Sequence, residues 1–174
     1  MNIEYSNGFI ITNKNSGLYL SKIAAASEPK IDFGDLLEKG KYYTLIMHDP
    51  NAVNDNHNFV HWAIINIQLT NVQGHPFLEY KGPAPPSGSG IHNYIFTLYL
   101  QPDEFKLTNI EEHVRLSPLR QTQMSHLLVE LGLQDAKIID QVSFTSSFAE
   151  KGGKRKTRRK RNKQKKRNKK SRRR

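Results

Sequence analysis

Residues 80–94 read YKGPAPPSGSGIHNY, a loop rich in proline and glycine that runs directly into a strand-like segment. This segment, Ile91–Leu100, alternates with a period of two, which is typical of a β-strand with one buried face. The period places five side chains on one face: His92, Tyr94, Phe96, Leu98 and Leu100. An imidazole and a phenol therefore point the same way where the loop meets the strand.

The rest of the chain has the pattern of an antiparallel sandwich. Strand-like runs bounded by turn residues recur through the first hundred positions: Gly8–Thr12, Lys30–Phe33, Tyr42–His48, Phe59–Leu69 and Ile91–Leu100. The run Tyr42–Met47 shows little alternation, which indicates a central strand covered on both faces. Two further runs, Ala136–Ile139 and Val142–Phe148, would close the sheet as short strands. The sequence thus predicts a mostly β fold, an antiparallel β-sandwich with one or two short helices.

One helix is predicted after the main strands. Ser117 suits its cap, Pro118 the first helical position and Gly132 the position just beyond its C-terminus. Apolar residues between them recur at i, i+3, i+4 and i+7: Met124, Leu127, Leu128 and Leu131. We interpret this stripe as core packing, the usual role of an amphipathic helix face.

A second motif lies upstream, where HDPNA at residues 48–52 is followed by VHWAIINI at residues 60–67. Together with residues 80–94 it resembles the phosphatidylethanolamine-binding protein (PEBP) family. The two signatures of that family are a D-P-D-A-P loop leading to an H-W or H-F strand, and a G-x-x-P-P-x-G-x-G-x-H-R-Y segment. The resemblance is strongest over residues 41–101 and extends over residues 3–148. It implies a β-sandwich of the PEBP type with a small anion-accepting pocket between the signatures.

The resemblance also implies which residues form the pocket. Four fall on pocket positions and one on a proline wall: Asp49, His61, His92, Tyr94 and Pro86. A phosphate group needs converging donors, which the two imidazoles, the phenol and the backbone amides of Gly88–Gly90 would provide. Gly88 and Gly90 would let the backbone approach closely and adopt positive φ. Asp49 only accepts hydrogen bonds when ionised, so we expect it to orient a histidine.

The sequence departs from the family pattern near this pocket. Asn51 stands where the family usually has a second aspartate, Val53 where it has proline, and Asn93 where arginine is frequent. We therefore expect a less acidic site with one cation fewer near its mouth.

The charge is divided unevenly along the chain. Residues 151–174 hold 17 of the 27 Lys and Arg and no acidic residue, which leaves 10 basic against 16 acidic residues in residues 1–150. We predict a PEBP-like domain over residues 1–150 and a disordered Lys/Arg-rich tail over residues 151–174. The tail would bind nucleic acid, anionic membrane or import machinery. Because no aromatic residue interleaves its charges, base-specific readout is not expected.

Several classes of protein do not fit the composition. The chain has no cysteine, which excludes disulfide frameworks, thiolate metal sites and cysteine nucleophiles. Neither a signal peptide nor a bilayer-spanning apolar run is recognisable, so we expect a cytoplasmic protein, or a nuclear or nucleolar one if the tail is an address.

Two chemical alternatives compete with a simple anion pocket. The first is a metal site built from His57, His61 and His92, which the spacing disfavours because His57 lies in a polar loop and not on a helix. The second is a hydrolase using Asp49, His61 and Ser87 or Ser89. It is disfavoured because Gly88-Ser89-Gly90 lacks the G-x-S-x-G spacing of a nucleophile elbow.

These observations predict a monomeric, non-catalytic binding protein without a cofactor. Its ligand would be a phosphate-bearing head group, such as that of phosphatidylethanolamine, or another phosphorylated group. The alternative is a regulatory interaction module that docks a phosphorylated partner protein, or inhibits a kinase or protease.

Overall fold

A computed structural model describes residues 1–54, 57–106 and 120–148. The predicted tail, residues 151–174, and the predicted helix cap, Ser117 with Pro118, lie outside the described residues. No helix in the described part of the chain is long and apolar enough to cross a membrane.

Strands dominate the described residues, as the sequence predicts. The strands are β1 (Asn2–Glu4), β2 (Ile10–Ile11), β3 (Leu18–Tyr19), β4 (Lys30–Asp32), β5 (Tyr42–Asn54), β6 (His57–Ile67), β7 (His75–Leu78), β8 (Ile91–Gln101), β9 (Gln121–Thr122) and β10 (Ile138–Ser147). A single turn of 3-10 helix covers Gly34–Leu36, and the helix α1 covers Met124–Glu130.

The strands form two sheets. A three-stranded sheet has the order β2-β1-β4, and a seven-stranded sheet has the order β3-β10-β8-β5-β6-β7 with β9 paired to β6. All pairs are antiparallel except β3 with β10. The main core includes Ile3 of the small sheet together with Met47, Phe96 and Phe144 of the large one. This arrangement agrees with the predicted sandwich.

The central strand was predicted correctly. β5 lies between β8 and β6, and its side chains enter two cores in turn. Leu45 and Met47 belong to the main core, whereas Ile46 packs in a second core with Leu127 and Leu131 from the α1 region. A strand covered on both faces has no polar face, which explains the weak alternation of its sequence.

The predicted helix is wrong at its beginning and right at its end. α1 starts at Met124, because Gln121 and Thr122 pair with Phe59 and Asn58 at the edge of β6. Those hydrogen bonds require extended backbone at Gln121 and Thr122, so α1 cannot continue through these two residues toward the predicted start at Pro118. At the other end Gly132 adopts φ +65°, the left-handed conformation expected just beyond a helix.

The two predicted short strands, Ala136–Ile139 and Val142–Phe148, are instead one strand. β10 continues from Ile138 to Ser147 with only a register shift between Ile138 and Asp140. A local irregularity in a ladder interrupts the sequence pattern without ending the strand. The sequence prediction also missed β1, β3 and β7, which have at most four residues each and are too short to show a period.

The topology brings three of the predicted pocket residues together. β5 runs antiparallel to both neighbours, with Met47 opposite Trp62 of β6 and Phe96 of β8. The C-terminal part of β5 therefore lies beside the N-terminal parts of β6 and β8. Asp49, His61 and His92 come from these three segments and meet at one end of the large sheet.

We expect Phe144→Ala to destabilise the protein by about 3–5 kcal/mol, the usual cost of removing a buried aromatic side chain. The Phe144 ring is fully buried and stacks on Tyr94, with centroids 5.0 Å apart. The matched control is Phe9→Ala, because the Phe9 ring is 47% exposed and should cost under about 1 kcal/mol. Chemical denaturation measures both; a loss under about 1 kcal/mol for Phe144→Ala would contradict the described core.

Candidate binding pocket

A buried carboxylate and a buried imidazole join β5 to β8. Asp49 Oδ2 lies 2.6 Å from His92 Nδ1, and the two residues are 2% and 3% exposed. The other oxygen, Oδ1, accepts hydrogen bonds from the backbone N–H groups of Asn51 and Ala52 at 2.8 and 3.2 Å. Asp49 thus orients a histidine, as the sequence predicts, while the following loop fixes the carboxylate itself.

The opposite nitrogen of His92 extends this chain of hydrogen bonds into the loop. His92 Nε2 lies 2.8 Å from Ser89 Oγ, and the Ser89 hydroxyl donates to the carbonyl of Pro86 at 2.8 Å. The described partners therefore engage both ring nitrogens of His92, Asp49 at Nδ1 and Ser89 at Nε2.

His61 has a different environment. Its Nδ1 donates to the backbone carbonyl of Lys81 at 2.7 Å, and its ring meets the Tyr94 ring edge-on at 5.0 Å. Burial lowers the pKa of the His61 imidazole to about 4, so the ring is neutral at neutral pH. A neutral ring with its proton on Nδ1 offers Nε2 only as an acceptor. The prediction that His61 donates to an anion therefore does not fit this geometry.

Tyr94 carries a polar group that the described residues leave without a partner. Its ring is fully buried, and burial, with the nearby Asp49 carboxylate, raises the pKa of its phenol above the ordinary value. Among the described residues, four buried side-chain atoms lack a hydrogen-bond partner: His48 Nδ1, Asn93 Oδ1, Tyr94 Oη and Ser146 Oγ. Of these four residues, Tyr94 is the one that lines a cavity with the histidines.

That cavity has a volume of about 440 Å³. Five predicted residues line it: Asp49, His61, Pro86, His92 and Tyr94. The sequence prediction missed further lining residues, among them Asn51, Phe59, Lys81, Ser89 and Gln121. Lys81 and Ser89 lie inside the motif at residues 80–94, so that motif was a signal for them. Gln121 reaches the cavity through the pairing of β9 with β6, which has no sequence signal.

The two predicted glycines have the positive φ that the sequence predicts. Gly88 and Gly90 adopt φ +82° and +85° and shape the turn before β8. Neither is among the residues that line the cavity, and a Cβ added at either position would meet no protein atom within 4 Å. The intervening Ser89 N–H is directed at the Pro86 carbonyl at 3.3 Å, which makes it unsuited to donate to an anion.

Two of the residues that depart from the family pattern, Asn51 and Asn93, are in contact. The side-chain oxygen of Asn51 accepts from the backbone N–H of Asn93 at 2.8 Å, which ties the end of β5 to β8.

The cavity has a cation in its lining even though Asn93 stands where the family often has arginine. This cation is Lys81, whose Nζ lies 5.4 Å from the centre of the Phe59 ring.

The described residues contain no group of three or more His, Asp or Glu side chains placed to hold a metal ion. The side chain of His57, which the metal alternative requires, lies outside this description.

Comparison with known proteins supports this assignment of the fold. A family model described as phosphatidylethanolamine-binding protein matches residues 10–134. The Drosophila melanogaster protein named "Putative odorant-binding protein A5" is 30% identical over 108 residues, which are 55% of this chain and 50% of that protein. The chain thus spans about half the length of this curated relative.

Two solved structures share the fold. A carboxypeptidase Y inhibitor, solved in complex with its cognate proteinase, is 22% identical with a TM-score of 0.61, covering 85% of this chain and 82% of its own. The phosphatidylethanolamine-binding protein from Plasmodium vivax is 23% identical with a TM-score of 0.61, covering 84% and 83%.

The low pKa of His61 predicts an acid-dependent loss of stability. Between its ordinary value of 6.5 and about 4, the unfolded chain binds a proton that the folded chain does not. Folding free energy is therefore lost as the pH falls through this window, by about 3 kcal/mol at pH 4. The variant His61→Gln should lack this part of the pH dependence in denaturant titrations.

The matched control is His126→Gln, at a side chain that is 62% exposed; this variant keeps His61 and should keep the acid-dependent loss that His61 causes. Equal pH dependence of the wild type and His61→Gln would contradict the described burial of His61.

Proposed function

The chain belongs to the phosphatidylethanolamine-binding protein family, and from this premise we propose that its cavity binds a phosphate-bearing group. The observation that carries the proposal is the Tyr94 hydroxyl, which is buried at the cavity and has no partner among the described residues. A buried polar group without a hydrogen bond costs about 1–3 kcal/mol, and a ligand oxygen that accepts its proton removes that cost.

The surrounding groups suit a small phosphorylated ligand. Tyr94 offers an O–H donor and Lys81 offers a cation, while Asp49 and Ser89 engage the two ring nitrogens of His92 and hold that ring in the cavity wall. The cavity volume of about 440 Å³ falls within the range of small-molecule sites, about 300–1,000 Å³. A phosphate monoester with a short head group is the size of ligand that such a cavity takes.

The state of His61 further restricts which ligands fit the cavity. Its Nε2 is an acceptor at neutral pH, so the ligand should present a proton beside its anionic oxygens. A monoprotonated phosphate has such an O–H, and an ethanolamine head group has such an N–H. Both belong to the proposed ligand class, whereas a fully ionised phosphate without a donor group leaves this nitrogen unused.

We propose that the pocket is not catalytic. Asp49, His92 and Ser89 follow the order of a hydrolase triad, but the Ser89 hydroxyl also has the Pro86 carbonyl as an acceptor at 2.8 Å, the same distance as His92 Nε2. A serine nucleophile needs its proton directed at the base, so this second acceptor disfavours attack by Ser89. Ser89 also lies in a loop that leads into a strand, unlike the strand-to-helix turn of a nucleophile elbow.

A regulatory role is the second candidate. The fold is shared with an inhibitor that was solved in complex with its cognate proteinase. On this alternative a partner protein would bind this chain, and the pocket would dock a phosphorylated group of that partner. Lipid extracted with the purified protein and identified by mass spectrometry favours the head-group ligand, whereas a specific co-purifying protein favours the regulatory role.

We propose that residues 151–174 act separately from the pocket, as a sequence-independent contact to polyanions. Their 17 Lys and Arg predict binding that weakens strongly as salt rises.

The variant Tyr94→Phe tests the proposal, because it removes the hydroxyl and keeps the ring on Phe144. We expect its affinity for O-phosphoethanolamine to fall about tenfold or more, as for loss of a hydrogen bond to a charged group. The melting temperature of the free variant should not fall, since the hydroxyl has no partner to lose among residues 1–54, 57–106 and 120–148. Isothermal titration calorimetry and thermal unfolding give the two readouts.

The control is Tyr42→Phe. In the wild type the Tyr42 hydroxyl donates to Glu104 Oε2 at 3.4 Å, and Tyr42 is not a lining residue of the cavity. This variant should bind O-phosphoethanolamine like the wild type. Unchanged affinity in Tyr94→Phe, or a lower melting temperature, would show that the hydroxyl serves the fold and not a ligand.

A further inference from the structure

The outer edge of β6 has a gap beside the cavity. Its partners on this edge are β7, which pairs with β6 from Ala63 onward, and β9, which pairs with Asn58 and Phe59. Residues 60–62 lie between these two ladders and have no strand partner on this edge among the described residues. The backbone carbonyls in the gap therefore need donors other than a neighbouring strand, because buried carbonyls are nearly always hydrogen-bonded.

Arg120 supplies donors to this gap. It directly precedes Gln121, the first residue of β9, so its side chain reaches the edge of β6 just beyond their pairing. Its Nη1 donates to the backbone carbonyls of Val60 and His61, each at 3.3 Å, and its Nη2 donates to the carbonyl of Glu79 at 2.8 Å. One guanidinium thus joins β6 to the segment that follows β7.

The two segments that Arg120 joins also form one wall of the cavity, which we call the His61–Lys81 wall. The backbone N–H of Lys81 donates to the His61 carbonyl at 2.8 Å, and His61 Nδ1 donates to the Lys81 carbonyl at 2.7 Å. Both residues line the cavity. Arg120 contacts the same His61 carbonyl and the carbonyl of Glu79, two residues earlier in the other segment. It therefore fixes the spacing on which both wall contacts depend.

The charge of Arg120 also acts on His61. Burial is the main cause of the low pKa of the His61 imidazole, and the positive charges of Arg120 and Lys81 lower this pKa further. A cation held beside the imidazole keeps the ring neutral, with Nε2 as an acceptor. Arg120 itself is not a lining residue of the cavity, so it would affect a ligand only through its neighbours.

We propose that Arg120 is a positioning residue for the phosphate-bearing ligand, because its guanidinium holds the His61–Lys81 wall in the arrangement that the ligand contacts. This inference rests on the proposed function of the cavity. Arginine suits the role because its planar guanidinium presents five donors in a fixed geometry, whereas a lysine ammonium is a point charge on a flexible stem. A wall that is ordered before binding spares the ligand the cost of ordering it.

The variants Arg120→Gln and Arg120→Lys test this proposal in the full-length chain. We expect Arg120→Gln to weaken O-phosphoethanolamine binding about fivefold or more in isothermal titration calorimetry, since the ligand must then order two side chains. Arg120→Lys keeps the charge but not the planar fork, so its affinity should lie between that of Arg120→Gln and that of the wild type. NMR titration should give a higher His61 pKa in Arg120→Gln than in the wild type.

Two control variants separate this role from net charge and from stability. Lys39→Gln removes a positive charge from an exposed side chain just before β5, at the end of that strand away from Asp49, and should bind like the wild type. Leu127→Ala removes a fully buried side chain of α1. It should lower the melting temperature by about 5 °C or more and keep both the affinity and the His61 pKa.

Wild-type affinity in Arg120→Gln, or an equal loss of affinity in Leu127→Ala, would overturn the proposal. If Arg120→Gln does not fold, Arg120→Lys decides, and wild-type affinity in that variant would overturn it. If the wild type itself does not bind O-phosphoethanolamine, the proposed function fails and the NMR titration judges Arg120 separately. An unchanged His61 pKa in Arg120→Gln would then refute its hold on the wall, and a raised pKa that Leu127→Ala does not share would support it.

Discussion

The pairing of the Asp49 carboxylate with the His92 imidazole is the contact on which the pocket depends. Both groups are almost fully buried, 2% and 3% exposed, and a buried ionisable group without a partner is costly. Their pairing therefore holds the loop after β5 against the start of β8. The Asn51 contact to the Asn93 backbone strengthens the same junction, and together these contacts form one side of the cavity.

Environment gives the two pocket histidines opposite roles. His92 lies between a carboxylate and a hydroxyl, both able to accept from it. His61 lies against a backbone carbonyl and two aromatic rings, where burial keeps the ring neutral. His92 therefore has both ring nitrogens engaged, whereas His61 keeps Nε2 as an acceptor. Tyr94 stands between aromatic packing on one side and the cavity on the other, and its hydroxyl has no partner among the described residues.

Much of this site could be predicted from the sequence. The period of two in β8 predicted that His92 and Tyr94 share a face, and the paired motifs predicted that Asp49, His61 and Pro86 lie beside them. What the sequence did not show depends on long-range geometry. Lys81 and Ser89 were within the motif but their contacts depend on how the loop turns, and Gln121 reaches the cavity only because β9 pairs with β6. The same pairing explains why the helix begins at Met124, since backbone pairing outweighs a local helical pattern.

The most direct test of the central claim is a crystal structure of the full chain determined with O-phosphoethanolamine. The account predicts a phosphate group in the cavity, with one oxygen within hydrogen-bond distance of Tyr94 Oη and with the Asp49 to His92 contact intact. An empty cavity at saturating ligand, or ligand density only at the basic tail, would contradict it.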